Sequence, residues 1–175
     1  SSTITAADIV NKFSKVELEK IIRIYGEERN FKKIVSKIIS SRGKRKIETT
    51  FDLKKIVHEA ISYDNIKILS RVFQAIRIAT NNELNVIKKT LIETIKYLKV
   101  GGRIAAISFH SLEDRIIKHF FKDQILFMPE NKKNDYSSSI EFKPLTKKPI
   151  LPSIIEIKNN KRSSSAKLRI AERIK

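Results

Sequence analysis

The hydrophobic period of this chain changes at Gly101-Gly102, and that change limits the fold more than any other feature. Before it, Leu84, Ile87, Leu91, Ile95 and Leu98 recur at the spacing of one helix face. After it, Arg103-Ile104-Ala105-Ala106-Ile107-Ser108 is a short apolar run introduced by a glycine turn, the pattern of a buried strand. Ser111 has an acid, Asp114, three residues on, as in a capping box, and starts a helix that runs to about Lys122. Helix, strand, helix is the grammar of an α/β domain.

Upstream the pattern is helical. Thr5 and Ser14 are each followed three residues later by an acid, Asp8 and Glu17, which marks two helix starts. One apolar stripe, Leu18, Ile21, Ile22 and Tyr25, runs up to Gly26, and a second, Phe31, Ile34, Val35, Ile38 and Ile39, up to Gly43. Leu53, Ile56, Val57, Ala60 and Ile61 form a third. The reading is a helical domain over residues 1–66 and a sheet-containing domain over 67–175, the latter opening with a helix near 71–79. Residues 123–141 are polar, with Ser137-Ser138-Ser139, and read as a flexible loop. Residues 144–150 and 167–174 read as strands that could pair antiparallel at a sheet edge, with Leu168 and Ile170 on one face of the second and Arg169 and Arg173 on the other.

With 175 residues and 41% hydrophobic content, the chain is able to bury one sizeable core or two modest ones. Thirty-seven Lys and Arg against nineteen Asp and Glu give a formal charge of +18, so a polyanion is the natural partner. Nucleic acid fits better than a membrane, because no apolar run approaches the roughly 18 residues of a spanning helix. A cytoplasmic location is expected. There is no cysteine, and His58, His110 and His119 are scattered, so no metal is implied. Residues 29–46 carry eight basic residues and no acid while keeping their apolar stripe, so one face packs and the other is cationic. A surface that is merely hydrated looks the same; the functional reading is that Lys32, Lys33, Lys37, Arg42, Lys44, Arg45 and Lys46 track phosphates. The last forty-five residues hold twelve basic against four acidic ones, which predicts a second basic surface containing Lys167 and Arg169 that an RNA could share with the first. The glycines are Gly26, Gly43, Gly101 and Gly102, which leaves no glycine-rich phosphate loop, so no cofactor-binding residue is expected here. The opening Ser1-Ser2-Thr3, with no initiator Met, suggests that the true amino terminus is absent.

Gln74, Arg77 and Asn81 fall on one helical stripe, which suits solvent, a cap or a ligand. Ser108-Phe109-His110-Ser111 leaves the carboxyl end of the proposed strand, where open α/β sheets put ligands. His110 has no paired acid and nucleophile that would make a triad recognisable, so hydrolase chemistry is rejected.

Eight blocks in order resemble the RsmH (MraW) methyltransferases: Thr5-Ala6-Ala7-Asp8-Ile9-Val10-Asn11; Tyr25-Gly26-Glu27-Glu28-Arg29; Phe73-Gln74-Ala75-Ile76-Arg77-Ile78; Asn81 with Glu83-Leu84; Gly101-Gly102-Arg103; Ile107 to Arg115, which contains Ser-Phe-His-Ser-Leu-Glu-Asp-Arg; Leu145-Thr146-Lys147-Lys148-Pro149; and Ser165-Ala166-Lys167-Leu168-Arg169. Departures are the absence of a proline before the Phe-Gln-Ala block, and Lys161 and Ser164 where the family tends to have Pro and Arg. The resemblance covers somewhat more than the second half of a family member. It implies the second half of a class I (Rossmann-like) S-adenosylmethionine-dependent methyltransferase fold with an inserted all-helical substrate-recognition domain. The implied activity is methylation of the exocyclic 4-amino group of a cytosine in the decoding region of 16S rRNA. The cofactor would be S-adenosylmethionine, held mainly by the half this chain lacks. The implied partner is the small ribosomal subunit, with a homodimer compatible. His110, Ser108 and Ser111 would lie beside the target base, with Arg77 and Asn81 near the insertion junction. The competing expectation is a non-catalytic basic RNA-binding protein or a decayed fragment.

Overall fold

A computed structural model describes residues 4–61, 65–122 and 141–175, so the loop expected over 123–141 lies outside the described residues apart from Glu141. The chain divides into two compact units, Ser1–Glu83 and Leu84–Lys175.

The first unit is helical. α1 (Ala6–Lys12) and α2 (Lys15–Ile24) both start on the capping boxes legible in the sequence, Thr5 with Asp8 and Ser14 with Glu17. α3 (Phe31–Arg42), α4 (Thr50–Ile61) and α5 (Ile66–Asn81) follow. Leu18, Ile22, Ile34, Val35, Ile38 and Val72 are fully buried in their shared core. Each such aliphatic side chain stabilises by roughly 1.5–3 kcal/mol relative to exposure. The unit extends past residue 66 because α5 packs against α1, α2 and α4 and supplies Ile68, Val72, Ala75 and Ile76 to that core. α5 is also longer than the helix read near 71–79, since Asn65 caps it at Lys67 and Ile68.

Gly26 is required where α2 meets α5. A Cβ there would sit 2.7 Å from the Ile22 carbonyl and 2.8 Å from that of Arg71, closer than a side chain tolerates. Two contacts fix the approach: Gln74 Nε2 donates to the Tyr25 carbonyl at 3.1 Å, and Arg71 pairs at 3.3 Å with Glu28, which is 2% exposed. The Tyr-Gly-Glu-Glu-Arg and Phe-Gln-Ala blocks are thus two sides of one helix junction.

The second unit begins at Leu84, one residue into α6 (Glu83–Thr94), tightens into a 3-10 turn at Ile95–Tyr97, and enters β1 (Arg103–Ser108) through Gly101, whose φ of 81° suits glycine. α7 (Ser111–Lys122), β2 (Phe142–Pro144), α8 (Ile154–Asn159), a 3-10 turn (Lys161–Ser165) and β3 (Lys167–Arg173) complete it. The described strands form one sheet in the order β1-β3-β2, with β3 antiparallel to both neighbours. Arg103 pairs with Glu172 at one end and Ser108 with Lys167 at the other.

Three expectations change here. The 144–150 strand is instead Phe142–Pro144, after which Leu145 and Thr146 both donate to Ile170 and only Ile150 bridges back, to Leu168. Pro144 and Pro149 lack the N–H groups a continuous ladder needs. β1 is not buried on both faces: Ser108 is 1% exposed, whereas Ile107 is 59% exposed. On β3 the arginine face is the packed one, with Arg169 and Ala171 buried and Leu168 and Ile170 half-buried. That packed face joins Phe120, Phe121 and Phe142, whose ring centroids lie 5.7–6.2 Å apart, and Leu91 and Ile95 in a second core. Among the described residues, no helix is long and apolar enough to cross a membrane.

Candidate functional site

The turn from β1 to α7 is built by reciprocal capping, but not by the pair expected. Asp114 N–H bonds to the His110 carbonyl, so His110 is the N-cap and Ser111 the first helical residue. His110 Nδ1 accepts from the Glu113 N–H at 3.3 Å, while the Glu113 carboxylate accepts from the Phe109 and His110 N–H groups at 2.7 and 3.3 Å. His110 Nε2 lies 3.3 Å from the other oxygen of Glu113. His110 therefore does have an acidic partner, and with a side chain 8% exposed it works first as a helix cap. A His-x-x-Glu spacing at a helix start was the missed signal.

Asp114, read as the capping acid, turns away to Arg169. Arg169 Nε and Nη2 donate to its two carboxylate oxygens at 2.7 and 3.0 Å. The guanidinium holds the Asp114 carboxyl below the usual carboxylate range. With both side chains largely buried, this pair clamps α7 to β3, and Arg169 is not laid out on an open basic surface. Ser108 donates weakly to the Lys167 carbonyl at 3.4 Å. Ser108, His110, Ser111, Lys167 and Arg169 are thus gathered at one end of the sheet, and of these only Ser111 is exposed. Phe109, within the Ser-Phe-His-Ser block that the resemblance sets beside the target base, is 54% exposed at the carboxyl end of β1. Its position two after Ile107 puts it on the same outward face.

In the helical unit the cations divide by role. Lys15, Lys32, Lys33 and Lys37 line an open groove with Glu59, which pairs with Lys37 at 2.9 Å. Lys44, Arg45 and Lys46 are exposed. Arg42 instead donates to the Val10 and Phe13 carbonyls at 3.0 and 2.7 Å, where it caps the end of α1. Of the polar stripe on α5, Gln74 serves the α2 junction. Arg77 and Asn81 converge on Glu83, the former through two bonds of 2.9 and 3.1 Å and the latter at 3.1 Å. Among the described residues no glycine-rich turn joins a strand to a helix, and the α7 amino terminus is occupied by its own cap, so these residues do not fit a nucleotide-type cofactor.

The chain belongs to the MraW methylase family, whose model matches residues 1–174. It is similar to the ribosomal RNA small subunit methyltransferase H of Caldicellulosiruptor saccharolyticus, at 48% identity over 99% of this chain and 58% of that protein. The proteins of the same name from Halothermothrix orenii and Fusobacterium nucleatum are each 44% identical over 98% of this chain, and the match covers 57% and 56% of their lengths. The chain spans less than two thirds of the curated relatives it matches.

Proposed function

We propose that this chain forms the RNA-recognising helical unit and the carboxyl-terminal sheet portion of an enzyme that methylates 16S rRNA in the cytoplasm, at the exocyclic 4-amino group of a cytosine in the decoding region. The observation that carries this is the 48% identity, over nearly the whole chain, to a protein named for small-subunit rRNA methylation. The strand order β1-β3-β2, with β3 reversed, supports the class I assignment, because that fold ends in an antiparallel strand inserted at the sheet edge. Residues 1–66 are then most of the inserted domain, with α5 serving as the helix that leads back to the sheet.

S-adenosylmethionine would supply the methyl group, and the residues to hold it would lie in the portion of the relatives outside the match. The residues of this chain do other work. Lys32, Lys33, Lys37, Lys44, Arg45 and Lys46 neutralise phosphates. The Phe109–Ser111 turn borders the extracted base at the carboxyl end of β1, with Ser111 and the Phe109 ring outward and His110 and Ser108 fixing the turn. Transfer to the amine then gains chiefly from orientation. For the 175 residues alone, the cofactor misfit favours the second reading, RNA binding without chemistry.

The test is a chimera in which the unmatched portion of the Caldicellulosiruptor saccharolyticus protein precedes this chain, incubated with methyl-labelled cofactor and separated ribosomal subunits. Label in the small-subunit RNA is expected. Label confined to the large subunit, or none from a folded chimera, rejects the proposal.

A further inference from the structure

Within the helical unit, between α1, α5 and the start of α4, lies a pocket of about 290 Å³. Its walls are apolar, with Val10, Leu53, Phe73 and Ile76 among them, and Arg77 and Asn81 stand at its polar edge. We propose that this pocket receives one unstacked nucleobase of single-stranded RNA whose phosphates lie on Lys44, Arg45 and Lys46. The inference rests on the reading of the helical unit as RNA-binding and names a site for it.

Charge complementarity selects the occupant. The exposed run Lys44-Arg45-Lys46 leads directly into Ile47 and Glu48, which line the pocket, so the cationic segment adjoins the pocket wall in sequence. A greasy ligand or an apolar helix gains nothing from three consecutive cations, whereas a nucleotide has an apolar, stackable base joined to an anionic phosphate. The size agrees, since about 290 Å³ is at the small end of ligand pockets and suits a single heterocycle rather than a peptide.

The adjoining wall is also held in place before any ligand arrives. Asn11 clamps Ile47 from both sides, its Nδ2 donating to the Ile47 carbonyl at 2.8 Å and its Oδ1 accepting from the Ile47 N–H at 2.9 Å. Arg42, at the other end of the basic segment, is tied to the end of α1. Thr49 caps α4 through Asp52, with the Asp52 N–H donating to its hydroxyl at 3.1 Å. A basic segment pinned at both ends loses less freedom on binding than a free loop, which favours affinity. Arg77, oriented by Glu83, keeps 56% of its side chain exposed, so its remaining donors face solvent at the pocket edge.

Fluorescence anisotropy on the 175-residue chain tests this with two probes, a short labelled oligocytidylate and an abasic ribose-phosphate oligomer of equal length. The intact chain is expected to bind the oligocytidylate roughly 5- to 100-fold more tightly, the range for one stacked base. Ala7→Phe, at an exposed pocket-lining position of α1, fills the space without altering charge or core. It should bring oligocytidylate binding down to the abasic level while leaving abasic binding and the melting temperature unchanged. Phe73→Leu, which removes the ring but keeps an apolar wall, should also weaken only the base-containing probe, and it carries the test if Ala7→Phe unfolds. Equal binding of the two probes by the intact chain overturns the pocket. So does unaltered oligocytidylate binding by the folded variants, and continued loss of binding on replacing Lys44, Arg45 and Lys46 would then leave the RNA-binding reading standing. Failure of the intact chain to bind either probe overturns both.

Discussion

Removing Asp114 tests whether the most specific block of the sequence is there to hold the sheet unit together. The Arg169–Asp114 pair is bidentate, at 2.7 and 3.0 Å, and the two side chains are only 9% and 14% exposed. Deleting one partner of a buried ion pair costs about 3–5 kcal/mol, because the other charge stays behind uncompensated. Residual exposure on the Asp114 side places Asp114→Ala at the lower end, about 3 kcal/mol. An exposed pair such as Lys12–Asp8, with Lys12 at 75% exposure, is screened by solvent and contributes far less. Hydrogen exchange on the 175-residue chain separates the units. β1 and β3 amides should lose about 100-fold protection, since 1.4 kcal/mol is tenfold, while α3 amides serve as the control. Asp114→Leu with Arg169→Met should recover most of the loss. Because the folded carboxyl titrates below its unfolded value, the contribution is fully present above the unfolded value near 3.9 and is lost as pH falls through the folded one. A change in β3 protection below about threefold in Asp114→Ala would refute the clamp.

Capping predicts that His110→Ala and Glu113→Ala should each lower sheet-unit stability by about 1 kcal/mol. Unchanged thermal melting in both variants would contradict the assignment of His110 as the cap. Replacing Lys44, Arg45 and Lys46 by Ala should flatten the slope of log RNA affinity against log salt by about 2 units, each phosphate contributing about 0.7 for single strands. An unchanged slope makes that segment an ordinary hydrated surface. Titration calorimetry of the 175-residue chain should show no low-micromolar S-adenosylmethionine binding, and a well-formed isotherm in that range would put the cofactor site within these residues.

Local signals were the legible ones. The Thr5 and Ser14 boxes start α1 and α2, and the apolar stripes ending near Gly26 and Gly43 end α2 and α3, because capping and helical period are properties of a few adjacent residues. The packing of α5 onto α2 was not legible, since it depends on Gly26 approaching Arg71 and on Gln74 reaching Tyr25, contacts between segments far apart in sequence. Which face of β3 is packed was not legible for a related reason. Leu168 and Ile170 look like the inward residues until Asp114 supplies a buried partner for Arg169. In the strand-end turn the capping pair was misread. Ser-x-x-Asp and His-x-x-Glu overlap by one position, and the helix start is set by His110.

The central claim is the chemical one, methylation of a cytosine at its exocyclic amine in small-subunit rRNA. The most direct measurement is nucleoside mass spectrometry of 16S rRNA after small subunits from a strain without this modification are incubated with the chimera and S-adenosylmethionine. The account predicts N4-methylcytidine, released from a fragment that contains the decoding region. Methylation on carbon 5 of cytosine, on ribose or on another base would contradict it.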